Sequence, residues 1–189
     1  MHLMILGAPG SGKGTQGKLL AEHLGIPQVS TGELLRAAVR QRTPLGIQAK
    51  EYMDRGLLVP DDVVLSLIRE ILDSREGARG VLMDGFPRTV PQAVAVDALL
   101  AGRRMRVDVV LLLDVAEDEL VRRLLGRAAK EGRSDDNLES IKQRLTVYHE
   151  QTAPLVAHYE RQGVVKRVPG MGGVDEIQGR IREVVGAVA

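Results

Sequence analysis

The stretch GAPGSGKGTQ, Gly7 to Gln16, decides how the rest of the chain is read. Before it, HLMIL (2–6) has the aliphatic density of a buried strand; after it, KGTQGKLLAEHL (13–24) has the composition of a helix. A glycine-rich turn between the two lets successive backbone N–H groups face phosphate oxygens. The helix that starts near Lys13 adds its positive N-terminal end. Gly10, Ser11 and Gly12 would form the cradle, and Lys13 would reach the β- and γ-phosphates of a nucleotide. A merely structural turn would need neither the lysine nor so many glycines. One position departs from the strict phosphate-loop pattern. Gly14 stands where a Ser or Thr binds Mg²⁺ directly, and the hydroxyl arrives one residue later, at Thr15. Two readings follow: Thr15 takes over, or the ion is held by phosphates and water with carboxylates outside that water. The second needs an acid at the end of a neighbouring strand. VLMDGFPR (81–88) offers Asp84 there, although a turn or helix cap would also account for it.

Beyond the loop, short aliphatic runs bounded by Gly, Pro or Asp alternate with segments of helical period, as in a parallel sheet with crossover helices. Strands are expected at His2–Leu6, Gln28–Ser30, Gly80–Met83, Asp108–Leu113 and Val164–Val168. Helices are expected at 13–24, 31–41, 45–54, 61–74, 89–101, 117–128, 137–162 and 174–187, with Pro154 kinking the seventh. Two regions interrupt the alternation: 30–59 holds helices without a strand, and 126–136, GRAAKEGRSDD, is polar and basic. Both read as flaps outside the sheet. The chain is therefore expected to be one α/β domain, a five-stranded parallel phosphate-loop core flanked by helices. Its core would comprise 1–29, 60–125 and 137–189, with a helical flap at 30–59 and a short lid at 126–136.

Composition narrows the function classes. At 189 residues and 44% apolar the chain builds a real core, and with 2% aromatic content that core is aliphatic. A net charge of +1 argues against binding to nucleic acid or to a membrane surface through bulk charge. With no cysteine, disulfides and thiolate metal sites are excluded. No apolar run approaches the roughly 20 residues that span a bilayer. The start reads as a strand without a charged leader, so a cytoplasmic location is expected.

Four motifs, GAPGSGKGT (7–15), STGELLR (30–36), DGFPRTVPQA (84–93) and GRSDDN (132–137), stand in the order and spacing of adenylate kinases, and from Met4 to about Ile181 the chain resembles that family. The likeness is to the short form, whose lid lacks the longer, often zinc-bearing insertion. It implies reversible phosphoryl transfer, ATP plus AMP giving two ADP, with Mg²⁺ accompanying ATP, no zinc, and a monomer. It implies an ATP site made by Gly10, Ser11, Gly12, Lys13, Gly14, Thr15, Arg127 and Gly172, the last meeting adenine through its backbone. On the AMP side it implies Thr31 near the base, Arg36 on the phosphate, and Leu57, Leu58 and Val59 around adenine. Gly85, Phe86, Pro87 and Arg88 follow, with Arg88 as a bidentate grip on the AMP phosphate. Gln92, whose amide both donates and accepts, can read a base edge.

Arg123, Arg127, Arg133 and Arg144 flank or occupy the second flap. A transferring phosphoryl group spreads charge over its equatorial oxygens, which planar arginine forks match better than a lysine point charge. The resemblance implies that Arg127 contacts ATP, that Arg133 and Arg144 clamp the phosphates, AMP's included, and that Arg123 stands at the site. Lys13, Asp84, Arg88, Arg123, Arg133 and Arg144 form the expected catalytic set. The acceptor is already anionic, so no general base is required and the four histidines are expected to be bystanders. Asp135 and Asp136 would tether the closed lid or cap the helix at Asn137. A kinase for UMP and CMP is the nearest rival; Thr31 and Gln92 argue against it. A silent nucleotide-binding scaffold should have lost Lys13, Arg88 or a lid arginine, and has not.

Glu33 stands in STGELLR where many relatives carry aspartate. With Mg²⁺ bound only through water, Asp84 and Glu33 are the carboxylates available to order that water. The longer Glu33 is expected to matter less: Asp84→Ala should reduce kcat more than Glu33→Ala when both are titrated with Mg²⁺. Equal losses would contradict it.

Overall fold

The computed structural model describes residues 1–75, 77, 79–131 and 137–187, with backbone alone for 128–131. Five strands, β1 His2–Leu6, β2 Gln28–Ser30, β3 Val81–Asp84, β4 Val109–Asp114 and β5 Val165–Pro169, form one parallel sheet in the order β2-β3-β1-β4-β5. The first two coincide with expectation. The other three begin and end one residue later, because pairing continues through Asp84, Asp114 and Pro169, while Gly80 at φ 144° precedes the ladder. The helices are α1 Lys13–Leu24, α2 Thr31–Arg40, α3 Pro44–Asp54, α4 Asp61–Asp73, α5 Val90–Ala101, α6 Glu117–Glu131, α7 Leu138–Val147, α8 Pro154–Glu160 and α9 Val174–Gly186.

A parallel strand is buried on both faces, so alternate residues of β1 feed two cores. Met4 and Leu6 pack with Met83, Val110, Leu112 and the helices carrying Ile68, Val96 and Leu155. Leu3 and Ile5 pack with Leu82, Leu111, Leu113 and, from α1 and α9, Leu20, Ile177 and Ile181. Each such side chain contributes about 2 kcal/mol by leaving water. A third cluster, Ala8, Leu120, Leu124, Ile141 and Leu145, fastens α6 and α7 beside the glycine-rich loop. The sheet thus presents the carboxyl ends of β1, β3 and β4 to one crevice, where the connection from β3 crosses over β1 to β4. Ligands of open parallel sheets bind at such a reversal.

The expected helix 137–162 is broken rather than simply kinked. Residues Tyr148–Thr152 form a π-turn, closed by Ala153 N–H to the Tyr148 carbonyl at 2.8 Å. Pro154 supplies no N–H and begins α8, and the extra residue gives its ring room. Asn137 caps α7 by accepting from Ser140 N–H at 2.9 Å. Asp135 and Asp136 lie outside the described residues. The helix 117–128 runs on to Glu131.

In the 30–59 segment, α2 and α3 cross so closely that Gly46 is pressed against the backbone of Ala38. A methyl group there would be driven into the Ala38 carbonyl. Overpacking of this kind costs about 1–3 kcal/mol. Gly46→Ala should therefore lower the urea midpoint by a corresponding amount; an unchanged midpoint would mean that α2 and α3 slide apart without loss.

Candidate active site

Gly7, Gly10 and Gly12 all adopt positive φ (149°, 85° and 95°), a region closed to most side chains, and so wind the loop after β1 around an empty centre. The first bond of α1 is Gln16 N–H to the Gly12 carbonyl, 3.0 Å, so the amides of Lys13, Gly14 and Thr15 have no partner within the helix. Lys13 folds back over this loop. Its Nζ donates to the carbonyls of Gly7 (2.7 Å) and Ala8 (2.9 Å) and to Ser11 Oγ (3.4 Å). Burial pushes the Lys13 ammonium down to about 8; Asp84 opposes the shift, and the guanidinium groups of Arg88, Arg144 and Arg127 deepen it. Ser11 itself is buried and lines neither of the two cavities described below.

Asp84 closes β3 and is 6% exposed. Its Oδ2 accepts from Gln28 Nε2 at 3.2 Å, and the same nitrogen reaches the Gly14 carbonyl at 3.2 Å. A Cβ at Gly14 would stand 3.6 Å from that oxygen, so the carboxylate faces the spot where a Ser or Thr would project. Among the described residues no group of three or more His, Cys, Asp or Glu could hold a metal ion. A single buried carboxylate with unused lone pairs beside the loop fits an ion reached through water. Glu33 is exposed at the rim of the same cleft.

That cleft is open to solvent and is lined by Gly10, Gly12, Lys13, Gly14, Thr15, Glu33, Arg36, Asp84, Arg88, Arg123, Arg127 and Arg144, among others. It adjoins a smaller pocket lined by Thr31, Arg36, Leu57, Leu58, Val59, Gly85, Phe86, Arg88, Gln92 and Arg144, among others. Gly32, Arg36, Gly56, Leu58, Gly85, Arg88 and Arg144 border both. Pro87 lines the larger cleft. Gly172, at φ 114° between β5 and α9, lines neither; it lies near Gly170, whose carbonyl accepts from Arg123 Nη2 at 3.0 Å. Arg133 lies outside the described residues.

Several supporting residues escape a motif search. Thr31 is buried and donates to the Gly85 carbonyl at 2.9 Å, and Arg88 Nε donates to that carbonyl at 2.6 Å. Thr152, turned inward by the π-turn, donates to the Arg88 carbonyl at 2.9 Å. Gln92 accepts from Arg88 N–H at 2.7 Å and donates to Asp61 at 2.6 Å. Glu119 holds Arg123 through Nε at 2.6 Å, and Arg122 and Arg123 together bring its carboxyl down to about 2. Gln28, Asp61, Glu119 and Thr152 stand outside the phosphate-binding motifs. Only the i,i+4 spacing of Glu119 and Arg123 was a visible signal.

A family profile described as adenylate kinase matches residues 5–164. The chain is similar to proteins named adenylate kinase from Parabacteroides distasonis, 49% identical over 188 residues that cover 100% of this chain and 99% of that one. It is likewise similar to those of Leptospira biflexa, 51% identical over 95% of this chain and 97% of that one, and Thermus thermophilus, 52% identical over 97% and 96%.

The depressed Lys13 makes binding pH-dependent. A polyphosphate would favour the ammonium and raise its pKa above the free value near 8. Affinity is then full below about 8 and falls as pH rises through that value, by up to about tenfold per unit. Calorimetry of ATP binding from pH 7 to 9.5 should show this loss, with proton uptake in the alkaline range; a constant affinity would contradict it.

Proposed function

The chain belongs to the adenylate kinase family, and on that footing we propose that it catalyses the reversible transfer of a phosphoryl group from ATP to AMP, giving two ADP. The observation that carries this reading in the molecule is the adjacency of two cavities bordered by shared arginines. A phosphate loop opens on the larger, and an apolar pocket with a buried amide forms the smaller. Donor and acceptor nucleotides would lie with their phosphates meeting at Arg36, Arg88 and Arg144.

In this reading the residues supply position and charge rather than covalent chemistry. Loop amides and Lys13 hold the β- and γ-phosphates of ATP, with Gly10, Ser11, Gly12, Gly14 and Thr15 contributing backbone and Thr15 its hydroxyl. When the phosphates enter, Lys13 exchanges the Gly7 and Ala8 carbonyls for phosphate oxygens. Arg88 and Arg36 grip the AMP phosphate and keep it in line with the bond to be broken. Arg123, Arg127, Arg133 and Arg144 balance charge that spreads over the equatorial oxygens, which in a water-poor cleft is the largest catalytic effect available. Mg²⁺ accompanying ATP supplies further neutralising charge there, and Asp84, with Glu33 at the rim, would hold its water. Leu57, Leu58, Val59 and Phe86 surround the adenine of AMP, Thr31 and Gln92 lie at its edge, and Gly172 meets that of ATP.

The same reading takes 30–59 as the acceptor flap and 126–136 as a short lid. Their closure excludes water, which would otherwise accept the γ-phosphoryl group. We read the protein as a cytoplasmic monomer that uses neither nucleic acid nor membrane. Among the described residues no helix is long and apolar enough to cross a bilayer. The UMP/CMP alternative is not favoured, because the relatives matched over nearly the whole chain are named for adenylate.

With ATP as donor and AMP, CMP, UMP and GMP as acceptors, kcat/KM should be highest for AMP by about four orders of magnitude, the scale at which buried polar groups left unpaired reject a mismatched partner. Comparable values for all four would refute the assignment.

A further inference from the structure

Gln92 is 2% exposed and lines the smaller pocket, and its two amide atoms are already engaged with different partners. Oε1 accepts from the backbone N–H of Arg88 at 2.7 Å, and Nε2 donates to Asp61 Oδ1 at 2.6 Å. An amide can usually be turned over at little cost, exchanging donor for acceptor. Here it cannot. A backbone N–H can only donate and a carboxylate can only accept, so the reversed amide would set two donors together at Arg88 and two acceptors together at Asp61. Asp61 is itself fixed, in the first turn of α4, by Thr89 Oγ1 at 3.4 Å, and Thr89 caps α5 through Gln92 N–H at 3.3 Å.

Each amide atom keeps one valence, an N–H on Nε2 and a lone pair on Oε1. We infer that Asp61, acting with the Arg88 backbone, is a specificity-determining positioning residue: it locks the donor–acceptor polarity that Gln92 offers the acceptor base. This deepens the AMP reading and rests on it. An adenine edge presents an amino donor beside a ring-nitrogen acceptor, which matches an oxygen and an N–H held in fixed places. A 6-oxopurine presents the reverse, a carbonyl acceptor beside a ring N–H donor. A freely turning amide would serve both; a locked one serves adenine alone. Polarity, rather than pocket size, then separates AMP from IMP, which have nearly the same shape.

The test compares kcat/KM for AMP and for IMP, with ATP as donor, in the wild type, Asp61→Ala, and the exchange Asp61→Asn with Gln92→Glu. Asp61→Ala removes one side of the lock, and the AMP-to-IMP ratio should fall about tenfold, the scale of one hydrogen bond to a charged group, while KM for ATP stays put. The exchange keeps a hydrogen bond across the pair and leaves only acceptor oxygens at position 92. Each base then finds one acceptor for its donor and one oxygen facing its own acceptor, so the AMP-to-IMP ratio should fall towards one, and the exchange serves equally where Asp61→Ala fails to fold. A purely structural role for Asp61 would lower both acceptors in proportion; a ratio moving less than twofold in Asp61→Ala, or an exchange variant that keeps the wild-type ratio, would overturn the inference. A wild type that accepts IMP as readily as AMP would overturn the parent reading, and this one with it.

Discussion

Like charges gathered around one loop are the constraint on which the rest of this structure depends. Lys13, Arg88, Arg127 and Arg144 act on one another strongly enough that three arginines deepen the fall in the Lys13 pKa. Anionic ligands relieve that repulsion, but the free protein has to bear it. Its means are visible. Loop carbonyls accept from the ammonium, Asp84 supplies the opposing charge beside it, and Glu119 pairs with Arg123 on the far wall. A site so arranged is destabilising when empty, and the aliphatic packing on both faces of β1 and β4 offsets it.

The fold was legible because its strongest signals are local. A buried parallel strand must be nearly all aliphatic, and HLMIL, VLM and VVLLL are. The loop after β1 announces itself through glycines whose positive φ no other residue adopts cheaply. Strand ends slipped by one residue because pairing, not composition, decides them: Asp84 and Asp114 are poor strand formers held by neighbours on the sheet. The π-turn was not legible, since Pro154 announces a disruption without saying whether the helix bends or gains a residue.

Site residues divide in the same way. Those proposed to touch phosphate lie in runs whose residue types are themselves the signal, Lys13 among glycines and Arg88 after Gly-Phe-Pro. Those that hold them do not. Gln28 on an edge strand, Asp61 opening α4 and Thr152 in the π-turn are ordinary polar residues in sequence, and become informative only when topology brings them to Asp84, Gln92 and Arg88. Gly172 marks the converse: a residue expected at the ATP adenine lies outside the lining of both cavities.

Arg88 shows why such supports are polar. Its N–H is accepted by Gln92, its carbonyl takes Thr152, and its Nε shares the Gly85 carbonyl with Thr31. Apolar packing could fix the depth of this segment but not its rotation, because dispersion is nearly indifferent to direction. Hydrogen bonds to both the N–H and the carbonyl of one residue set direction as well, which a guanidinium fork aimed at two oxygens requires. The partners come from α5, the π-turn and the start of α2, so a displacement of any one is resisted by the other two. Burying these groups is favourable only because each is satisfied; a half-made network would cost more than an apolar one. The segment from Gly85 to Gln92 therefore behaves as one unit, in which the Gln92 amide and the Arg88 guanidinium are anchored to the same short stretch of backbone.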